Sequence, residues 1–181
     1  MNESLPIAAI VHAGKQRVDD TLIAFLKGLT ANGWKVRGLV PGPMGRPDDC
    51  ATRTILDLHT GDIYPISQDL GQGSTACCLD PGALIAAAVV LHQAHEALPD
   101  LAVVNRFGIL EADGKGFVEE MLTFMSEGIP MLTVVSDTYV EAWRTFTGGL
   151  AQELPPDRAA LYAWARSLPA AQHLPITEQV A

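Results

Sequence analysis

The nine residues His12-Ala13-Gly14-Lys15-Gln16-Arg17-Val18-Asp19-Asp20 stand between an apolar run, Leu5 to Val11, and a helical pattern, Thr21 to Ala31. A loop in that position cradles phosphate when glycines let successive N–H groups converge and a lysine and a hydroxyl follow at the first helical turn. Here Gly14 is the only glycine, Lys15 and Arg17 lie inside the loop, and the first turn carries Asp19 and Asp20. The two cations can draw an anion or stand solvated at the surface. The two carboxylates can hold a cation, bind ligand hydroxyls, or simply favour the helix dipole. Against a polyphosphate they are repulsive: a like-charge contact at ~4 Å costs on the order of 1 to 4 kcal/mol.

Further along, Asn105-Arg106 follows a short apolar strand, where an arginine can clamp an oxyanion with two parallel N–H donors. The structural alternative is an ion pair from Arg106 to Glu111 or Asp113. Ser67-Gln68-Asp69, with Gly71 and Gly73, offers hydroxyl, amide and backbone donors suited to an oxyanion, or forms an ordinary hydrogen-bonded loop. His92 and His95 share a helical face without a third metal ligand in view and read as solvent-facing, so no metal site is expected. Cys50, Cys77 and Cys78 read as reduced thiols, with Cys77 and Cys78 buried as small apolar groups. Trp143 with Phe146, and Trp164 with Leu161 and Leu168, are spaced for packing in a core or interface.

These groups need a scaffold, and the hydrophobic pattern supplies one. Apolar strands at Leu5–Val11, Trp34–Val40, Leu101–Val104 and Met131–Val135 alternate with helical patterns, predicting a mostly parallel sheet between two helical layers. Thr54–Leu58 and Ile63–Ile66 flank His59-Thr60-Gly61-Asp62 and predict a small β-hairpin with Pro65 at an edge. Asp80 caps a helix with Pro81 in its first turn and Pro99 beyond its end. Further helices are expected at about Gly116–Glu127, from a Ser136-Asp137 cap to Phe146, and from Asp157 to Ser167. In such a sheet the ligand crevice lies at the carboxyl ends of the strands, which selects the loops His12–Asp20, Asn105–Asp113 and Ser136-Asp137, with Ser67–Thr75 as a fourth wall.

The totals set bounds. The chain has 181 residues, 48% of them apolar, which suits one domain, expected over 1–168, followed by a frayed tail over 169–181. A net charge of -9 with 12 Lys+Arg argues against a nucleic-acid partner. No apolar run approaches a membrane span and Met1-Asn2-Glu3-Ser4 lacks a positive leader, so the cytoplasm is the expected compartment.

The order of pieces resembles the small nucleoside-triphosphatases of thermophiles and their cancer-related relatives, which have the P-loop fold. The likeness rests on the strand-loop-helix start at Ile7–Ala31, on Asp57-Leu58-His59-Thr60-Gly61-Asp62, and on Asn105-Arg106-Phe107-Gly108-Ile109-Leu110-Glu111. The chain resembles more densely a bacterial family related to those phosphatases, whose members are often encoded beside molybdate transport genes. Ile66-Ser67-Gln68-Asp69-Leu70-Gly71, Cys78-Leu79-Asp80-Pro81-Gly82-Ala83-Leu84, Val104-Asn105-Arg106-Phe107-Gly108 and Gly128-Ile129-Pro130 carry that likeness. Against the phosphatases, Asp19 falls where the phosphate-gripping lysine would be and Asp20 where the magnesium-binding hydroxyl would be. Asn105 and Arg106 replace the carboxylates that would hold magnesium and position water.

The resemblance therefore implies a P-loop-like α/β/α sandwich with a degenerate nucleotide motif. The expected function is binding of a nucleotide or a tetrahedral oxyanion such as molybdate, without ordinary hydrolysis and in a regulatory role. The ligand set is Gly14, Lys15, Arg17, Asp19, Asp20, Ser67, Gln68, Asp69, Asn105, Arg106 and Glu111. Magnesium enters only with a bound nucleotide. A nucleoside phosphate hydrolase with a rewired site, and a scaffold subunit with a vestigial site, are the alternatives. The partner is a small anion or nucleotide, with a homodimer as a further option and no membrane or nucleic acid.

Overall fold

The computed structural model describes residues 5–14, 18–43, 53–67 and 79–177. Seven strands form one sheet: β1 (Ile7–His12), β2 (Val36–Pro41), β3 (Thr54–Asp57), β4 (Ile63–Pro65), β5 (Leu101–Phe107), β6 (Met131–Ser136) and β7 (Gln152–Leu154), in the order β4-β3-β2-β5-β6-β1-β7. β2, β5, β6, β1 and β7 run parallel, while β3 and β4 are the antiparallel hairpin at one edge. Pro65 accordingly sits in the edge strand, where a missing N–H costs no ladder bond.

Parallel strands covered on both faces read as continuous apolar runs, and β1 shows why: Ile7 and Ala9 face one helical layer, Ala8 and Ile10 the other, all fully buried. On one face pack α1 (Asp19–Ala31) and α6 (Arg158–Ala165), through Leu22, Phe25, Leu29, Leu161 and Trp164. On the other pack α2 (Pro81–Glu96), α4 (Val118–Ser126) and α5 (Val140–Phe146), through Leu91, Phe124 and Trp143. The fold is thus the expected three-layer sandwich with a hairpin. As anticipated, Asp80 caps α2, its Oδ1 accepting from the N–H of Gly82 at 2.8 Å.

Several local expectations are corrected. α1 starts two residues early, at Asp19, because Val18 at its N-cap is buried and ties the first turn to the core. The expected helix over 116–127 begins at Val118, and a short α3 (Ile109–Ala112) precedes it. Ser136 makes no side-chain cap; a 3-10 turn at Asp137–Tyr139 leads into α5 instead. β7 was not foreseen. It pairs with β1 over three residues, and Arg144 of α5 clasps Glu153 there with two N–H donors at 2.7 and 2.8 Å. These hydrogen bonds, helped by the charge of Arg144, hold the Glu153 carboxyl below its usual range.

The tail, expected to fray from Pro169, is packed as far as Thr177. Leu174 and Ile176 lie against the α1 and α6 face, Trp34 Nε1 donates to the carbonyl of Pro175 at 3.2 Å, and Asn32 and Thr177 exchange hydrogen bonds. Apolar Leu174 and Ile176 supply the burial that proline-rich composition obscures. Among the described residues no helix is long and apolar enough to cross a membrane.

Candidate functional site

A β-bulge shapes the site. Val104 pairs with Thr133 and Phe107 with Val135, so β5 advances three residues where β6 advances two. The bulge returns Phe107 to the face of Val104, where its ring packs edge-on against Trp143 at 5.3 Å. Without it Arg106 would follow Val104 into that apolar layer. With it, Arg106 Nη2 reaches Asp19 Oδ1, in the first turn of α1, at 2.8 Å. Bulges re-aim side chains in this way, commonly beside ligand sites.

The ion pair spans a cleft of ≈ 440 Å³ at the carboxyl end of the sheet, lined in part by Asp19, Arg53, Thr54, Asn105, Arg106, Glu111 and Tyr139. Ile66, Leu79, Leu84, Leu110 and Phe117 supply an apolar wall. Such a volume is in the range of small-molecule sites, roughly 300 to 1,000 Å³. The pair is a weak lock: at 42% and 34% exposure it is worth about 1 kcal/mol or less. Asn105 Oδ1 is buried with no hydrogen-bond partner among the described residues, as are both ring nitrogens of His12 at the end of β1.

Glu111 is bonded to the backbone on both of its oxygens. Its two carboxylate oxygens accept from the N–H groups of Gly108 at 3.0 Å and Phe117 at 3.1 Å, tying the start of α3 to the start of α4. Burial pushes its carboxyl up, and the backbone donors offset part of that. Gly116, at φ +63°, sits so close that an added Cβ would lie 2.1 Å from Glu111 Oε1.

The expected ligand set divides as follows. Asp19, Asn105, Arg106 and Glu111 converge on the cleft. Gly14, in a left-handed turn at φ +50°, and Asp20, exposed on α1, do not line it. Ser67 does not line it either; its Oγ accepts from the N–H of Arg53 at 3.1 Å and braces the hairpin. Lys15, Arg17, Gln68 and Asp69 lie outside the described residues, as do Cys50, Cys77 and Cys78. Arg106 pairs with Asp19 rather than with Glu111 or Asp113, because the bulge turns it toward α1.

The cleft opens over the ends of β2 and β5, so of the described residues in the loop after β1 and the start of α1 it takes only Asp19. Sequence reasoning missed Arg53, Leu84 and Tyr139. Tyr139 lies just past Ser136-Asp137, a loop the strand-end rule did select; nothing in the local pattern around Arg53 announces it. His92 and His95 each meet a glutamate of α4 or its end, Glu120 at 3.1 Å and Glu127 at 2.8 Å. Among the described residues no three His, Cys, Asp or Glu side chains are grouped to hold a metal.

The sheet order, the two helical layers and a cleft at the strand ends define a P-loop-like α/β fold. In keeping with this, the protein resembles the solved structure of a human cancer-related nucleoside triphosphatase with a TM-score of 0.59 at 15% identity, over 82% of this chain and 88% of that one. That likeness is one of fold. Residues 7–164 match the family described as "Protein of unknown function (DUF2478)", and the chain belongs to it. It is also 35% identical over 161 residues to the molybdenum import ATP-binding protein ModC 2 of Bradyrhizobium diazoefficiens. The match takes in 88% of this chain and 18% of that protein, so the chain spans less than a fifth of that relative's length.

Proposed function

We propose that this protein binds a nucleotide in the cleft between α1, β2 and β5 and does not hydrolyse it by the ordinary route. The observation that carries the reading is the Arg106–Asp19 pair across the cleft. The positions at which the similar phosphatases carry a phosphate-gripping lysine and a water-positioning carboxylate hold opposite charges here, and they neutralise each other. Hydrolysis depends mainly on electrostatic parts that this exchange removes. Glu111 is no substitute base, since both its oxygens are engaged by backbone donors. Binding is supported by a guanidinium held by a weak pair, an amide oxygen unpartnered among the described residues and an apolar wall, which suit a ligand with an anionic end and a flat, partly apolar body.

A second reading, a tetrahedral oxyanion such as molybdate as the ligand of a regulatory module, draws on the name of the relative, a molybdenum import protein. Thermal-shift measurements against nucleoside mono-, di- and triphosphates with and without magnesium, and against molybdate, tungstate, sulfate and phosphate, decide between them. A ligand at a hundredfold excess over its Kd stabilises by about 2.7 kcal/mol, which raises the melting temperature of a domain this size by roughly 5 to 10 °C. A nucleotide shift without phosphate release supports the first reading, and an oxyanion shift alone supports the second. Phosphate release that needs magnesium and is lost in Asp19→Ala identifies a rewired hydrolase and overturns both.

A further inference from the structure

The charge and the position of the cleft bear on which nucleotide it takes. Arg53 and Arg106 supply its positive charge among the described residues, set against Asp19 and the backbone-bonded Glu111. Arg106 is already engaged by Asp19, whereas Arg53 has no carboxylate partner among the described residues. A triphosphate would bring several negative charges to a lining with two guanidinium groups and a carboxylate that faces the ligand. A single phosphate carries about −1.5 to −2 near neutrality and is matched by two guanidinium groups. Position agrees with charge. Asp19 alone, of the described residues around the start of α1, lines the cleft, while Leu84, Leu110 and Tyr139 line it with the arginines, leaving room for a base and sugar beside one anionic group.

We propose that the cleft selects a nucleotide with a single phosphate, held by Arg53 and Arg106, and that Asp19 sets this limit by occupying Arg106 and repelling longer phosphate chains. The proposal rests on the nucleotide reading above. Binding requires Arg106 to exchange the Asp19 carboxylate for the ligand phosphate. That exchange favours a dianion able to take two parallel donors over the one-point contact now present.

The test is isothermal titration of the full chain with the mono-, di- and triphosphates of adenosine and guanosine, without magnesium, for the wild type and Asp19→Asn, Arg53→Gln, Arg53→Lys and Arg106→Gln. The wild type is expected to bind the monophosphate more tightly than the triphosphate by on the order of tenfold. Asp19→Asn should narrow or invert that ratio, raising triphosphate affinity most. Arg53→Gln should weaken the monophosphate by on the order of tenfold, partly restored in Arg53→Lys. Melting temperatures of the unliganded variants report their folding, and Asp19→Asn keeps the shape of the side chain. A triphosphate bound as tightly as the monophosphate by the wild type overturns the proposal and leaves the nucleotide reading standing, as does an Asp19→Asn variant with an unchanged ratio. If the folded wild type binds no nucleotide of any length, the nucleotide reading itself fails and takes this proposal with it.

Discussion

Replacing Glu111 by alanine should unfasten one wall of the cleft. The side chain is 8% exposed and satisfies two backbone donors, Gly108 N–H at 3.0 Å and Phe117 N–H at 3.1 Å. A buried donor left without a partner costs about 1 to 3 kcal/mol. The Phe117 bond is buried and bears that penalty in full; the Gly108 bond is partly exposed and recovers some of it from water. Relief from burying a carboxylate returns a part, because burial raises the Glu111 carboxyl above its usual 4.5. The net expectation for Glu111→Ala is about 2 to 3 kcal/mol of lost stability, read by urea unfolding at neutral pH.

The pH dependence has a fixed sign. A raised folded-state value means that the native state holds the proton more tightly, so this group's contribution is complete below the unfolded value of 4.5 and is lost as pH rises through the higher folded value. Glu111→Gln carries no such titration. Its stability deficit against the wild type should therefore shrink as pH rises from about 4 to 7. An alanine variant within about 0.5 kcal/mol of wild type, or a glutamine deficit independent of pH, would refute the reasoning.

Two further outcomes follow from the packing. Gly28→Ala, which in an exposed helix gains up to about 1 kcal/mol, should here cost about 1 to 2, because the new Cβ would lie 2.1 Å from Tyr162 Oη. That hydroxyl is buried without a partner among the described residues, so Tyr162→Phe should be near neutral, and the double variant should exceed the wild type in denaturant midpoint; additive effects would dismiss the contact. Truncation after Leu168 removes the Trp34 to Pro175 and Asn32 to Thr177 bonds and uncovers the apolar face under Leu174 and Ile176. It should lower stability by roughly 1 to 3 kcal/mol in thermal melts, and an unchanged melting temperature would mean the packing contributes nothing.

The sandwich was legible because its central strands are buried on both faces and so spell unbroken apolar runs, as in Leu101–Val104 and Met131–Val135. β7 was not, since Gln152-Glu153-Leu154 has neither length nor pattern and is held by pairing with β1 and by Arg144, both remote in sequence. The site was half legible. The rule that ligands gather at strand ends found Asn105, Arg106 and Asp19, and the exchange of charge between Asp19 and Arg106 was visible in the residue types. Their direct contact was not, because it depends on a bulge that shifts β5 by one residue, and no local pattern marks a bulge. Arg53 escaped for a similar reason: its place in the cleft is set by how the hairpin folds against β2.

The docked tail has a practical consequence for handling the molecule. Thr177 is fastened beside Asn32, at the far end of α1 from Asp19, and the 13 residues of that helix separate the two by about 20 Å. A dye, a surface tether or a fused neighbour attached beyond Thr177 therefore leaves from the pole opposite the cleft mouth. A fluorophore there would report on the cleft from a known remove, and an immobilised protein would present its opening to solution.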